Sequence, residues 1–236
     1  MTERHSRQIP MIGRDGQRRL RDSKAAVIGL GGLGCNVITH LASAGIGNFV
    51  IADCQSPEQS NLNRQFVYSE NDTGKRKTAV SAEWIKRLDP SANVTELDIM
   101  LDDGNADRIG KCDIIMDCLD NNRSRLILNR YAHRTDTVLV HGGVGSTVGQ
   151  VTVVVPGATP CLECILTDPQ VSEVPSVSPM VGIIGSVQAM EAVKILSGKY
   201  SPLSGKLLSV DVSDNTYRVI DIKRKIGCGC CSAPGE

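Results

Sequence analysis

The stretch "VIGLGGLGCNVITHLASAGIGNFVIADC", Val27 to Cys54, leaves this chain few ways to fold. Ala25–Leu30 is a continuous apolar run, the pattern of a strand buried on both faces of a parallel sheet. Leu33, Val37, Leu41 and Ala44 then recur at helical spacing over Gly32–Ala44, and Asn48–Asp53 is a second apolar run that ends on an acid. Strand, turn, helix and strand make a βαβ unit. Gly29, Gly31 and Gly34 satisfy G-x-G-x-x-G at its turn, with Gly32 between them. Without Cβ atoms there, backbone N–H groups and the helix N-terminus can face phosphate oxygens. Asp53, 19 residues past Gly34, is placed to accept hydrogen bonds from ribose hydroxyls. The same turn can hold a dinucleotide or ATP, and glycines there can also serve packing alone.

The rest of the chain extends this unit into an α/β fold, Rossmann-like, with a mixed sheet and helices on both faces. Lys75–Leu88 reads as a helix stopped by Asp89-Pro90, and Asn121–Thr135 as another. Val94–Ile99, Asp113–Asp117 and Thr137–Val140 read as strands, with a short helix between the first two. Gly142–Gly157 is β-rich with glycine turns, which predicts an antiparallel extension closed by a hairpin of Lys206–Val212 and Thr216–Lys223. Cys161–Pro179 reads as a loop, and Val181–Leu196 as a buried, nearly all-apolar helix. With no internal repeat and no linker, residues 1–236 read as one domain, its nucleotide-binding half running to about residue 141.

Composition narrows the function. Aromatics are 3% of the chain, so aliphatic side chains build the core and base-stacking platforms are not expected. Lys plus Arg and Asp plus Glu both number 26, so no bulk field favours nucleic acid. No apolar run is read as approaching a membrane span, and the charged N-terminus has no apolar leader core. A soluble, cytoplasmic protein is expected, in which nine cysteines point to metal or reactive thiols before disulfides.

Cys54–Gly74 is a long polar loop, of a length that is usually functional. It supplies Asn61 and Arg64, and Lys77 follows thirteen residues after Arg64. A triphosphate carries about four negative charges, which such cations can stabilise as charge shifts toward pyrophosphate. A nicotinamide site has less need of them, and exposed surface charge is the plain alternative. In "DCLDNNRSR", Asp120 or Asn121 can cap a helix, while Asp120 also suits Mg²⁺ at the carboxyl end of a parallel strand. Cys161-x-x-Cys164 and Cys228-x-x-Cys231 suit tetrahedral Zn²⁺. The 63 residues between them exceed zinc-ribbon spacing, so a redox pair or unrelated thiols stay open. Cys230 can replace a neighbour as ligand, whereas Cys35, Cys54, Cys112 and Cys118 read as small buried apolar residues.

In order along the chain, "RHSRQI", "GLGGLG", Asp53, "SNLNRQ", Lys77, "DCLDN", "GQVTVVVPG" and the two cysteine pairs resemble the ThiF/MoeB/HesA adenylating enzymes, relatives of ubiquitin-activating enzymes. The resemblance implies ATP rather than a dinucleotide. It implies Asn61, Arg64 and Lys77 on the phosphates, Asp53 on the ribose, Asp120 on Mg²⁺, and Arg7 reaching the partner's ATP in a homodimer. It also implies adenylation of a carboxylate, in the first place the C-terminal glycine of a ubiquitin-like sulfur carrier protein. A small carboxylic acid in cofactor assembly, such as the pyridinol carboxylate of the iron-guanylylpyridinol cofactor, is the second possibility. An NAD-dependent oxidoreductase and a non-catalytic scaffold are the other classes. Two departures stand out: Gln55 occupies the place of a common second acid, and Leu166–Val181 lacks the cysteine that many relatives carry. The second departure predicts activation here and transfer by a separate thiol- or sulfur-donating protein.

Overall fold

The computed structural model describes residues 3–166 and 175–232. One eight-stranded sheet runs through it: β1 (Lys24–Ile28), β2 (Asn48–Asp53), β3 (Asn93–Asp98), β4 (Ile114–Asp117), β5 (Val138–Gly145), β6 (Val148–Val154), β7 (Lys206–Asp211) and β8 (Thr216–Asp221). Their spatial order is β3-β2-β1-β4-β5-β6-β7-β8. The first five strands are parallel, and β5 to β8 pair antiparallel. The expected halves therefore share a sheet, and residue 141 falls inside β5 rather than at a junction.

The helices are α1 (Ile9–Asp22), α2 (Gly32–Ala44), α3 (Lys77–Leu88), α4 (Asn122–Arg134) and α5 (Ser178–Leu196). Alternation along each strand explains the two-sided cover. Ala25 and Val27 of β1 belong to one core with residues of α2, α3 and α5, while Ala26 and Ile28 face a second core with α4. Strands buried on both faces must be apolar at every position, which is why the run at Ala25 has no polar alternation. α2 stops where Gly45 takes the left-handed region at φ 93° and its N–H caps Ala42 and Leu41.

Several boundaries differ from the sequence reading. β1 ends at Ile28 because Gly29 turns the chain at φ 92°. Gly142 and Gly143 are not in a turn but inside β5; the bend comes at Ser146, φ 56°. They are glycines for space: a Cβ on Gly142 would lie 2.3 Å from the Gln188 side chain. The helix before β4 is one 3-10 turn, Ala106–Ile109. In the loop expected over Cys161–Pro179, Leu162–Cys164 form a 3-10 turn and α5 already starts at Ser178; residues 167–174 lie outside the described residues. α5 is also long and apolar enough to cross a membrane, contrary to the sequence reading. Here it packs against α2, β5 and β6, and half of that apolar stretch is buried.

Candidate nucleotide site and cysteine knot

The strand order reverses at β1, whose neighbours β2 and β4 leave in opposite directions. Crevices outside the carboxyl ends of strands at such a reversal are where open α/β sheets take ligands. The glycine turn after β1 and the segment after β4 both lie there. Packing fixes two of the glycines. A Cβ on Gly29 would meet the Cys118 carbonyl at 2.6 Å, and one on Gly34 would meet the Gly29 carbonyl at 2.1 Å. Gly31 differs, since its Cβ would find only the Gln65 side-chain nitrogen, at 3.8 Å. Gly32 would press on Val181 at 3.1 Å. The turn is thus closed toward the protein at Gly29 and Gly34 and open at Gly31, the N-cap of α2.

Asp53 is locked to this turn. Its Oδ2 accepts from the Leu30 N–H at 2.7 Å and its Oδ1 from the Gln55 N–H at 2.8 Å. Lys77, at the first turn of α3, is 2% exposed and donates through Nζ to Gln55 Oε1 at 2.9 Å. Gln55 thus offers Lys77 a neutral acceptor in place of a carboxylate. Cys54 is exposed, which corrects its reading as a buried apolar residue: it lies just past the last residue of β2. Burial and then Asp53 push its thiol up, Lys77 counteracts, and Asp120 adds to the rise. Asp53, Lys77 and Asp120 are therefore each near enough to Cys54 to act on its thiol electrostatically.

Asp120 is exposed and, among the described residues, accepts only from its neighbour Asn121 at 3.1 Å, leaving its carboxylate available to a cation. The cap of α4 is Asn121, whose Oδ1 accepts from the Ser124 N–H at 2.9 Å. Arg64 is half-buried and donates to the Ser60 carbonyl and Asn63 Oδ1, and Asn61 Oδ1 accepts from the Glu58 N–H. Both shape their own loop; no contact among the described residues ties either to Asp53 or Lys77. Arg7 is exposed and sits at the opposite end of α2, where its neighbour Gln8 donates to the Ala44 carbonyl at 2.7 Å. A 13-residue helix separates that end from the glycine turn, about 20 Å. Arg7 cannot serve the site of its own chain.

Sequence reasoning missed a buried row beneath this site. Asp117 and His141 pair in register across β4 and β5, both fully buried, with His141 Nδ1 and Asp117 Oδ2 2.7 Å apart. Burial lowers the His141 pKa against the opposing pull of Asp117, which keeps the ring neutral at pH 7 with its proton on Nδ1. Nε2 then accepts from Gln150 at 3.1 Å. Asp117 Oδ1 holds the Leu119 N–H, while Arg125 holds the Leu119 carbonyl at 2.7 Å. Both anchor the segment that carries Asp120. Gln65, 4% exposed, brings a side-chain amide beside Gly31 and was also missed.

On the far side of the sheet the two cysteine pairs meet. The Sγ atoms of Cys161, Cys164, Cys228 and Cys231 all lie within 4.8 Å of one another, with Cys161–Cys228 at 3.6 Å and Cys164–Cys231 at 3.5 Å. Tetrahedral zinc at about 2.3 Å from each sulfur puts sulfurs about 3.8 Å apart. The Lys225 N–H points at Cys164 Sγ at 3.3 Å, a contact that steadies a thiolate. Burial opposes ionisation of Cys228, but the N–H groups of Cys230 and Cys231 bring it down to about 7.

Fold and site together define a nucleotide-binding α/β enzyme with a cationic, acid-flanked crevice. The ThiF family matches residues 5–230, and the chain belongs to it. It is 36% identical over 240 residues to the molybdopterin-synthase adenylyltransferase of Escherichia coli, covering 97% of this chain and 95% of that one. It is 35% identical to the E. coli sulfur carrier protein ThiS adenylyltransferase (97% and 94% covered). To the SAMP-activating enzyme E1 of Haloferax volcanii it is 33% identical (99% and 90% covered). Like the two E. coli relatives, it is an adenylyltransferase. The crystal structure of E. coli MccB with ATP shares the fold at TM-score 0.89 and 23% identity, over 98% of this chain and 74% of that one.

Proposed function

We propose that the chain, as one adenylation domain, uses ATP to adenylate the C-terminal carboxylate of a ubiquitin-like sulfur carrier protein. What supports this reading is Asp53 fixed against the glycine turn, with Lys77 and Asp120 near enough to the adjacent Cys54 to act on its thiol. Asp53 would hold the ribose, as its fixed position at the turn allows. Gly31, Asn61, Arg64 and Lys77 would face the phosphates. An oxygen of the substrate carboxylate attacks the α-phosphorus, the bond to the bridging oxygen breaks, and pyrophosphate leaves with that electron pair. The product is an acyl-adenylate. No protein nucleophile is required, and the catalysis is positioning plus charge stabilisation. Mg²⁺ held by Asp120 would neutralise phosphate charge.

Three further parts belong to this reading. Arg7 would act in the partner subunit of a homodimer, since α2 keeps it from its own site. Zinc on the four cysteines would be structural, tying the C-terminal tail to the segment after β6. With no cysteine in Leu166–Val181, the acyl group would pass to a separate thiol- or sulfur-donating protein in the cytoplasm.

ATP–pyrophosphate exchange tests the proposal, with carriers ending in Gly-Gly and small aromatic or heterocyclic carboxylates as alternative acceptors. Exchange dependent on a carrier tail supports it. Exchange with small acids alone would move the substrate to a cofactor precursor, and silence with both would refute adenylation.

A further inference from the structure

The four-sulfur cluster leaves one thiol of the knot unexplained. Cys230 lies between two of the ligands in sequence, yet its Sγ accepts a hydrogen bond from Asn129 Nδ2 at 3.2 Å. Asn129 is fully buried, and its Oδ1 is fixed in turn by the Leu162 N–H at 3.0 Å. A buried amide anchored at one end orients the sulfur. From the last turn of α4, His133 brings Nε2 to the same place, buried and, among the described residues, without a hydrogen-bond partner. The ligand atoms of His133, Cys161 and Cys230 all lie within 4.8 Å of one another. Cys161 is common to this set and to the four-cysteine set.

We propose that Cys161 bridges two metal ions, and that His133 and Cys230 complete with it a second Zn²⁺ site beside the first. The proposal rests on the four-cysteine zinc reading and goes beyond it. An unsatisfied buried nitrogen is costly, and a metal ion bound to Nε2 removes that cost. Two thiolates and an imidazole form a donor set suited to zinc. The two sites differ in kind. Four cysteines close a coordination sphere, whereas three protein ligands leave a fourth position open to water or an exchangeable ligand. There is room beside it: a cavity of about 230 Å³ is bounded by His133, Gly157, Arg224, Cys230, Cys231 and Ser232. Five thiolates against two divalent ions leave a net negative charge, and the Arg224 guanidinium at the cavity wall opposes it.

The test uses the full chain, stripped with a chelator and titrated with Co²⁺, with Zn²⁺ content of the untreated protein measured by mass spectrometry. Two equivalents per chain are expected for the wild type and one for Cys230→Ser and for His133→Ala. Both variants should keep the sulfur-to-cobalt charge-transfer band of the four-cysteine site. Using two variants guards against one that does not fold. One equivalent in the wild type, with unchanged spectra in both variants, would overturn the second site and leave the first standing. One equivalent with an altered band in Cys230→Ser would make Cys230 a ligand of a single ion, which also overturns it. No uptake would remove both sites.

Discussion

The glycine turn yields a prediction in which two neighbouring substitutions separate folding from binding. At Gly34 a Cβ would stand 2.1 Å from the Gly29 carbonyl oxygen and 3.0 Å from its carbon. That backbone cannot yield without moving α2 off β1. Overpacking of this kind costs about 1–3 kcal/mol, against roughly 1 kcal/mol gained by replacing glycine inside a helix. With contact this short the upper range applies, so Gly34→Ala should lose about 2 kcal/mol net, or about 4–8 °C in Tm for a domain of this size. At Gly31 the backbone has φ −75°, which alanine adopts freely, and the nearest atom is 3.8 Å from the Cβ position. Gly31→Ala should leave stability within about 0.5 kcal/mol. Yet its methyl projects where the phosphates must approach, so ATP affinity should fall at least about tenfold, roughly 1.4 kcal/mol. Urea denaturation measures the first effect, and titration with ATP followed by pyrophosphate exchange measures the second. If Gly31→Ala bound ATP as the wild type does, the turn would not be the phosphate site, whatever Gly34→Ala did to stability.

Arg64→Ala removes only local hydrogen bonds to Ser60 and Asn63, so its stability should change by less than about 1 kcal/mol while exchange drops by about 10²-fold or more; unaltered exchange would strike Arg64 from the site. Lys77→Met should cut exchange comparably, and a rise in KM for ATP without loss of kcat would show that Lys77 binds rather than stabilises the transition state. Because burial lowers the His141 pKa below that of the unfolded chain, the unfolded state takes up protons first as pH falls. Stability is therefore full above about pH 6.5 and declines below it, and in urea melts His141→Gln should show a flatter decline; His5, His40 and His133, also lowered, keep some slope. Chelation should release zinc and lower the melting temperature, and equal melting with and without chelator would return the cysteines to ordinary thiols.

What the sequence made legible follows the range of each interaction. The limits of α2 and β2 were readable because local signals set them: a glycine turn before, Gly45 after, and an acid at the strand end. Asp53 and Lys77 were readable as candidates because one closes β2 and the other opens α3, and Asp120 because it lies in the short segment between β4 and α4. The Asp117–His141 pair was not, since it depends on the register of β4 against β5, 24 residues apart in the chain. Gly142 misled for a related reason: a glycine emptied for Gln188 of α5 looks in sequence like a glycine needed for a turn. Cys54 was misread because small thiols beside a strand are usually buried, whereas this one lies just past the end of β2 and is exposed. The cysteine pairs pointed to each other, but only the fold shows that α4 delivers His133 and Asn129 to the same knot.

The anchoring of the N-terminal segment on the far end of α2 has a kinetic consequence. Gln8 and Gln17 both bind the Ala44 carbonyl, so this segment is not a loose arm that can swing round to its own crevice. Where catalysis draws on Arg7, turnover per chain cannot be constant on dilution; it must fall once chains are too sparse to find one another. An Arg7→Ala chain mixed with an Arg64→Ala chain would then recover activity that neither has alone, up to the level set by random pairing.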